Sequence, residues 1–253
     1  MTLSPADQAK RAAAAQALGL VTPGMRLGLG SGSTAAWFVR LLGDRVRAGL
    51  DVACVATSSG TVRLAETEGI ALTPLTDLGR LDLTVDGADE IDADLALIKG
   101  GGAALLQEKI VAAASDRFVV VADDTKRMET LGDFPLPVEV VRFGWTATRD
   151  AIAAMLERAD VDGREVGTRM AGTEMLVTDE GHYLLDLRLG RIGNPEALCA
   201  ALNAIPGVVE NGLFVGMAER AIIGHPDGRV EEILPAGPAR EDFVEEAMRS
   251  ADA

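Results

Sequence analysis

The chain has 253 residues, 48% of them hydrophobic and 25% charged, an ordinary globular composition with room for one large domain or a large and a small one. Its 24 Lys and Arg against 39 Asp and Glu leave a formal net charge of −15, a surface that repels polyphosphate backbones and argues against nucleic-acid partners. Cys54 and Cys199 sit in apolar stretches and offer neither a disulfide framework nor a metal cluster. No apolar run nears the ~20 residues of a membrane span, so a cytoplasmic protein without membrane partners is expected.

The first twenty residues read as a helix opened by Ser4-Pro5, with proline at its first position and no continuous apolar leader core. MRLGLG (25–30) reads as a strand, 33–48 as a helix, DVACVA (51–56) as a second strand and 60–69 as a helix. LDLTV (81–85), LALI (95–98) and FVVVAD (118–123) read as three more strands, with a helix from Ala103 to Ala114 before the last. Strands without clean alternation, separated by helices, predict a doubly wound, mostly parallel, Rossmann-like sheet covered on both faces.

LGDFPLP (131–137), with its two prolines, marks a boundary. After it come a strand VEVVRF (138–143), a helix over 146–159, and a hairpin over 174–189 turning at Asp179-Glu180-Gly181. A helix then opens at Asn194-Pro195 and runs to about Ala204. The β-α-β-β-α order predicts a second, smaller, ferredoxin-like α+β domain, which a strand near 207–215 would complete. RAIIGHPDGRVEEIL (220–234) reads as a last hairpin turning at Pro226-Asp227-Gly228. The expected division is a Rossmann-like catalytic domain of residues 1–130 plus about 206–235, a small domain of 131–205, and a tail of 236–253 read as a terminal helix or a frayed end.

Four segments fall at the C-terminal ends of predicted parallel strands, where open α/β sheets bind ligands. Gly28-Leu29-Gly30-Ser31-Gly32-Ser33-Thr34 joins the first strand to its helix. Its glycines admit close backbone approach, the helix N-terminus favours an anion, and Ser31, Ser33 and Thr34 add hydroxyls, so a phosphate is the natural guest. The G-x-G-x-G spacing and Thr57-Ser58-Ser59 at the end of the second strand do not fit a dinucleotide site. Asp86-Gly87-Ala88-Asp89-Glu90 follows the third strand, and its two aspartates, three apart, can exchange protons with sugar hydroxyls or hold a divalent metal.

Lys99-Gly100-Gly101-Gly102 carries three consecutive glycines at a strand-to-helix junction, a costly run most easily explained by close approach to a ligand. Glu108 stands in the following helix among apolar neighbours, where partial desolvation raises a carboxyl toward general-base range. Asp123-Asp124-Thr125-Lys126 is the fourth segment. The chain has only four lysines, Lys10, Lys99, Lys109 and Lys126, so two at strand-end loops point to a need for a compact ammonium. His182 and His225 fall at predicted hairpins, away from the glycine loops, so a serine-type triad or a histidine zinc site is not expected there. This inventory of carboxylates, lysines and phosphate-cradling glycines suits proton transfer on a small phosphorylated sugar.

GLGSGSTAA (28–36), TSS (57–59), TVDGADEID (84–92), IKGGGAALLQEKI (98–110), VADDTKRM (121–128), FPLPVEV (134–140) and NAIPGVVENGLF (203–214), in this order, resemble ribose-5-phosphate isomerase of the A type, over nearly the whole chain. The resemblance implies interconversion of D-ribose 5-phosphate and D-ribulose 5-phosphate through a cis-enediol(ate), in the non-oxidative pentose phosphate pathway, with no metal and no organic cofactor. It implies Glu108 as the base between C1 and C2, Lys99 as a charge beside the substrate oxygens, Asp86 as a helper in ring opening and hydroxyl proton movement, and Asp89 as its positioning partner. Ser31, Gly32, Ser33 and Thr34 match one substrate loop, Gly87 and Ala88 lie between the two aspartates, Gly100, Gly101 and Gly102 continue a second loop, and Lys126 matches a further contact. The phosphate stays open between the 31–34 loop and Lys99, Lys126 or the triple glycine. Ser31 and Gln107 depart from the Thr and Arg common in the family, and Gln107 removes a charge beside Glu108. A homodimer or homotetramer built through the small domain is also implied.

Overall fold

The computed structural model describes residues 3–235. Helix α1 (Pro5–Leu18) starts as its sequence dictates, with the Ser4 side chain accepting from the Asp7 N–H. It is followed by β1 (Arg26–Leu29), α2 (Ser33–Arg47), β2 (Ala53–Ala56), α3 (Ser59–Thr67), the single turn α4 (Leu75–Leu78) and β3 (Leu83–Asp86). Two short strands, β4 (Glu90–Ile91) and β5 (Leu97–Ile98), precede α5 (Leu105–Ala113), β6 (Phe118–Asp123) and a 3-10 turn over Asp124–Lys126. Next come β7 (Leu136–Val140), α6 (Trp145–Leu156), β8 (Glu165–Thr168), β9 (Met170–Ala171), β10 (Glu174–Met175), β11 (Tyr183–Arg188) and α7 (Pro195–Asn203). The described chain ends with β12 (Val208–Asn211), β13 (Leu213–Phe214), β14 (Arg220–Gly224) and β15 (Val230–Ile233).

The main sheet runs β15-β14-β6-β3-β1-β2, parallel throughout except for β15 at one edge. Strand order reverses between β1 and β3, so the loops leaving these neighbours diverge and open a crevice at their carboxyl ends. Both faces are buried, which is why FVVVAD shows no alternation. Val119 and Val121 join one core with Leu27, Leu29, Phe38 and Leu42, whereas Val120 and Ala122 join another with Leu97, Phe118 and Phe214.

The second sheet, β12-β7-β11-β8, is antiparallel and packs Leu136, Val138, Val140, Leu185 and Leu187 against Ile152 and Leu156 of α6 and Leu198 and Leu202 of α7. The adjacency of its first and last strands is the ferredoxin-like arrangement. α7 opens as its sequence predicts, with the Asn194 side chain accepting from the Ala197 N–H.

Three expectations need correction. LALI contributes no strand to the parallel sheet: β5 pairs antiparallel with β4 and β13 in a separate three-stranded sheet. Its residues Ala96, Leu97 and Ile98 are all buried, so it has the same unbroken apolar texture as a parallel strand. The 179–181 turn exists, but β11 takes β7 and β8 as partners, not the run before the turn, where a single bridge joins Val177 to Tyr183. β10 pairs instead with β9. The return to the larger unit, drawn at about residue 206, comes later, because β12 completes the small sheet and β13 the three-stranded one. The expectation for the 236–253 tail lies outside the described residues.

Candidate active site

β1 and β3 lie side by side, so what leaves one must clear what leaves the other. The Gly30 N–H donates to Val85 O at 3.0 Å, and a Cβ at Gly30 would stand 2.2 Å from the Asp86 carboxylate. Only glycine allows the first loop to run across the buried acid. Gly32, with φ +93°, then turns the chain into α2, whose N-terminus has no side-chain cap. The first amides of α2 are left without partners and face the ligand edge of the sheet.

Asp86 is wholly buried at the end of β3. Its Oδ1 accepts from the Ser31 N–H (2.9 Å) and the Gly87 N–H (2.7 Å), and its Oδ2 lies 3.0 Å from Lys99 Nζ. Lys99 follows β5 directly and is 2% exposed. Its ammonium donates to Gly87 O (2.6 Å) and stands 3.3 Å from Glu108 Oε2. Glu108, on α5 and 4% exposed, receives no backbone N–H comparable to those on Asp86, and its Oε2 accepts no hydrogen bond.

One cation therefore serves two buried carboxylates. Burial raises the Glu108 pKa from 4.5 to about 8; Lys99 opposes the rise, and Asp86 and Asp89 add to it. Burial also raises Asp86, against Lys99 and the two backbone amides. Lys99 is lowered by burial but raised further by Asp86 and Glu108, so it stays protonated. A carboxyl that titrates close to neutrality can both take and return a proton.

These groups meet at a cavity of about 110 Å³, lined by Ser31, Gly32, Ser33, Thr34, Gly87, Ala88, Asp89, Lys99, Gly100, Gly101, Gly102, Glu108 and Lys126. Every site residue expected from the sequence lines it except Asp86, which lies behind Lys99. Asp89 lines it with its Oδ2 tied to the Gly101 N–H at 2.8 Å. The Ser31 hydroxyl is less available than expected, because Thr57, Ser58 and Thr61 hydroxyls surround it at 2.9, 2.7 and 3.0 Å. That cluster explains the TSS segment.

Sequence reasoning missed Lys10, which reaches from α1 to donate to Ser33 Oγ at 2.9 Å. Its signal was in the lysine count: Lys10, Lys99 and Lys126 all meet the cavity or its lining. Lys109 instead braces α5 against β12 and β13 through Glu210 and the Asn211 and Leu213 carbonyls. Gln107, whose lost charge was expected to bear on Glu108, turns to Glu180 (2.5 Å) and lines a separate small cavity. His182 binds buried Glu139 (2.9 Å), and His225 sits between Asp124 and Glu231; neither lines the active cavity. Burial pushes the Cys54 thiol up to about 12, an inert core residue. Among the described residues no three His, Cys, Asp or Glu side chains gather as metal ligands, and no helix is long and apolar enough to cross a membrane.

Comparison with known proteins gives a consistent picture. A family model described as ribose 5-phosphate isomerase A (phosphoriboisomerase A) matches residues 53–228. A ribose-5-phosphate isomerase A of Cereibacter sphaeroides is 57% identical over 245 residues, 96% of this chain and 94% of that one. Its counterpart in Methylorubrum extorquens is 59% identical over 223 residues, 88% and 94% of the two chains. Among solved structures, the ribose 5-phosphate isomerase of Plasmodium falciparum superposes with a TM-score of 0.85 at 32% identity, covering 91% of this chain and 100% of that one. A D-ribose-5-phosphate isomerase in complex with phospho-erythronic acid gives 0.83 at 36% identity, covering 89% and 97%.

Proposed function

The chain belongs to the ribose 5-phosphate isomerase A family and interconverts D-ribose 5-phosphate and D-ribulose 5-phosphate, and from that premise we propose that Glu108 carries the proton between C1 and C2. In the aldose-to-ketose direction, ionised Glu108 takes the C2 hydrogen as a proton. The C2–H electron pair becomes the second bond of a C1=C2 enediolate, and the aldehyde oxygen takes the charge. Lys99 stabilises that oxyanion with an ammonium already desolvated and fixed. The O2 proton passes to O1, Glu108 returns its proton to C1, and the C2 carbonyl forms.

The observation that carries this reading is the buried Lys99 ammonium shared by a carboxylate fixed by backbone amides, Asp86, and one without such bonds, Glu108. Asp86, its Oδ1 fixed by two backbone amides and its Oδ2 paired with the ammonium at 3.0 Å, acts by holding Lys99. Asp89, which lines the cavity, is the better carboxylate for the sugar hydroxyls in ring opening. The uncapped α2 N-terminus, with Ser33, Thr34, Lys126 and Lys10, takes the phosphate, which leaves Lys99 to the reacting oxygens. Gly87, Ala88 and Gly100 to Gly102 frame the sugar between them.

The reaction needs no metal and no organic cofactor in this reading. The protein works in the cytoplasm as a homodimer or homotetramer, a reading supported for self-association by Phe143, 93% exposed beside the small sheet. The test is isomerisation of ribose 5-phosphate by purified protein after exhaustive EDTA treatment, with Glu108→Gln alongside. Activity in the chelated wild type and its loss in the variant is the expected result. Near-normal turnover by the variant would remove Glu108 from its role, and activity restored only by a divalent ion would make the acidic cluster a metal site. Phospho-erythronic acid should inhibit competitively.

A further inference from the structure

The residue after Lys99 is held from both sides. Gly100 O accepts from Arg169 Nη1 at 2.7 Å, and on the opposite side of the same peptide plane the Gly101 N–H donates to Asp89 Oδ2 at 2.8 Å. The two atoms of a trans peptide point in opposite directions, so the plane is stretched between a cation on the small-sheet side and a carboxylate in the cavity wall. The same Nη1 lies 3.3 Å from Gly101 O. The next amide, that of cavity-lining Gly102, is thereby turned the other way. The segment needs such an external hold: Gly100 has φ +106° and Ala103 φ +62°, and three glycines in a row give the backbone wide freedom.

Arg169 is itself built in. It joins β8 to β9, its N–H donates to Leu184 O (2.9 Å), and its O accepts from the Leu176 N–H (2.9 Å). Its guanidinium forms a two-pronged pair with Asp186 of β11, with Nε to Oδ2 at 2.9 Å and Nη2 to Oδ1. That leaves Nη1 for the loop carbonyls. Only a planar fork can grip a carboxylate and present a further donor in a fixed direction.

We propose that Arg169, oriented by Asp186, is a positioning residue for isomerisation: by fixing the Gly100–Gly101 peptide it sets where Lys99 and Asp89 stand relative to Glu108 and the sugar. The small sheet thus takes part in the chemistry through one side chain that does not line the cavity. The inference rests on the roles proposed for Glu108 and Lys99, and the experiment separates the two.

Steady-state kinetics and pH profiles of kcat/KM are measured for R169A, R169K and D186N, with E108Q as reference. R169A should lower kcat by about tenfold or more while KM changes by less than about threefold, the mark of lost alignment and not lost binding. Its acid limb should move to higher pH, because a displaced Lys99 no longer restrains Glu108. D186N should move both quantities the same way by less, and R169K should recover part of kcat, since an ammonium can reach one carbonyl. Wild-type kcat and an unshifted limb in folded R169A would overturn the inference. If R169A does not fold, the same wild-type values in D186N overturn it. An active E108Q would overturn the site assignment itself, whatever Arg169 does.

Discussion

Replacing Glu108 by Gln should stabilise the protein while silencing it, and the gain should grow with pH. The carboxyl titrates at 4.5 when free in water and at about 8 in the folded chain. Between those values the folded state keeps a proton that the unfolded state has lost. Folding stability then falls as pH rises, by about 1.4 kcal/mol per pH unit for one proton. Across the window from 4.5 to 8 the loss amounts to about 5 kcal/mol, an upper figure because Lys99 and Asp86 readjust. Glutamine keeps the shape and cannot ionise, so it escapes this loss. In the variant Lys99 still faces Asp86 at 3.0 Å and remains compensated. Denaturation midpoints of both proteins should coincide near pH 4.5 and separate steadily up to about pH 8, with the variant higher. Parallel curves across that range would refute the assignment of a strongly raised carboxyl to this site.

In the wild type, kcat/KM should rise with pH through about 8 as Glu108 ionises. Lys99→Met removes a charge 3.3 Å from Glu108, worth about 5 kcal/mol at an effective dielectric constant of about 20. Its acid limb should therefore shift to higher pH, with kcat down by about a hundredfold or more, both read from one pH series. Lys126→Ala should raise KM for ribose 5-phosphate by about tenfold with a smaller effect on kcat, and leave any turnover of unphosphorylated ribose unchanged. Gly30→Ala should abolish activity, its Cβ being 2.5 Å from Asp86 Cα, whereas Gly60→Ala, exposed in α3 with its nearest neighbour at 3.6 Å, should be active and up to about 1 kcal/mol more stable in thermal melts.

The doubly wound sheet could be read from the sequence because β1 and β2 each lead directly into a helix, α2 and α3, and the unalternating apolar runs of β3 and β6 mark strands buried on both faces. The glycine loops were legible because their chemistry is local: a backbone that must pass within van der Waals reach of Asp86 leaves Gly30 in the sequence. What escaped was set by tertiary contact. β8 escaped because Glu165–Thr168 has an exposed and three half-buried residues, no apolar alternation and a glycine at its centre. Asp86 was read as facing the substrate because nothing in DGADE tells which aspartate a neighbouring strand will cover. Lys10 lies 23 residues before Ser33 on a helix with no motif, and Arg169 is one arginine among 20; only the folded chain brings either to the loops.

α1 sits against α2, β6 and β14 through a stripe of buried Ala9, Ala13, Ala14 and Ala17, and it approaches β14 so closely that a Cβ on Gly224 would fall 1.9 Å from Ala9 O. The helix that supplies Lys10 lies about 200 residues before β14 in the chain, yet its seat includes that strand. Without residues 220–224 the alanine stripe keeps α2 and β6 but loses part of its seat, and with it part of what holds Lys10 at Ser33. The crevice between β1 and β3 thus owes its frame to nearby chain, while the lysine that approaches it from α1 depends on a strand far along the sequence. A chain cut short before β14 should therefore keep its carboxylates and weaken its hold on the substrate.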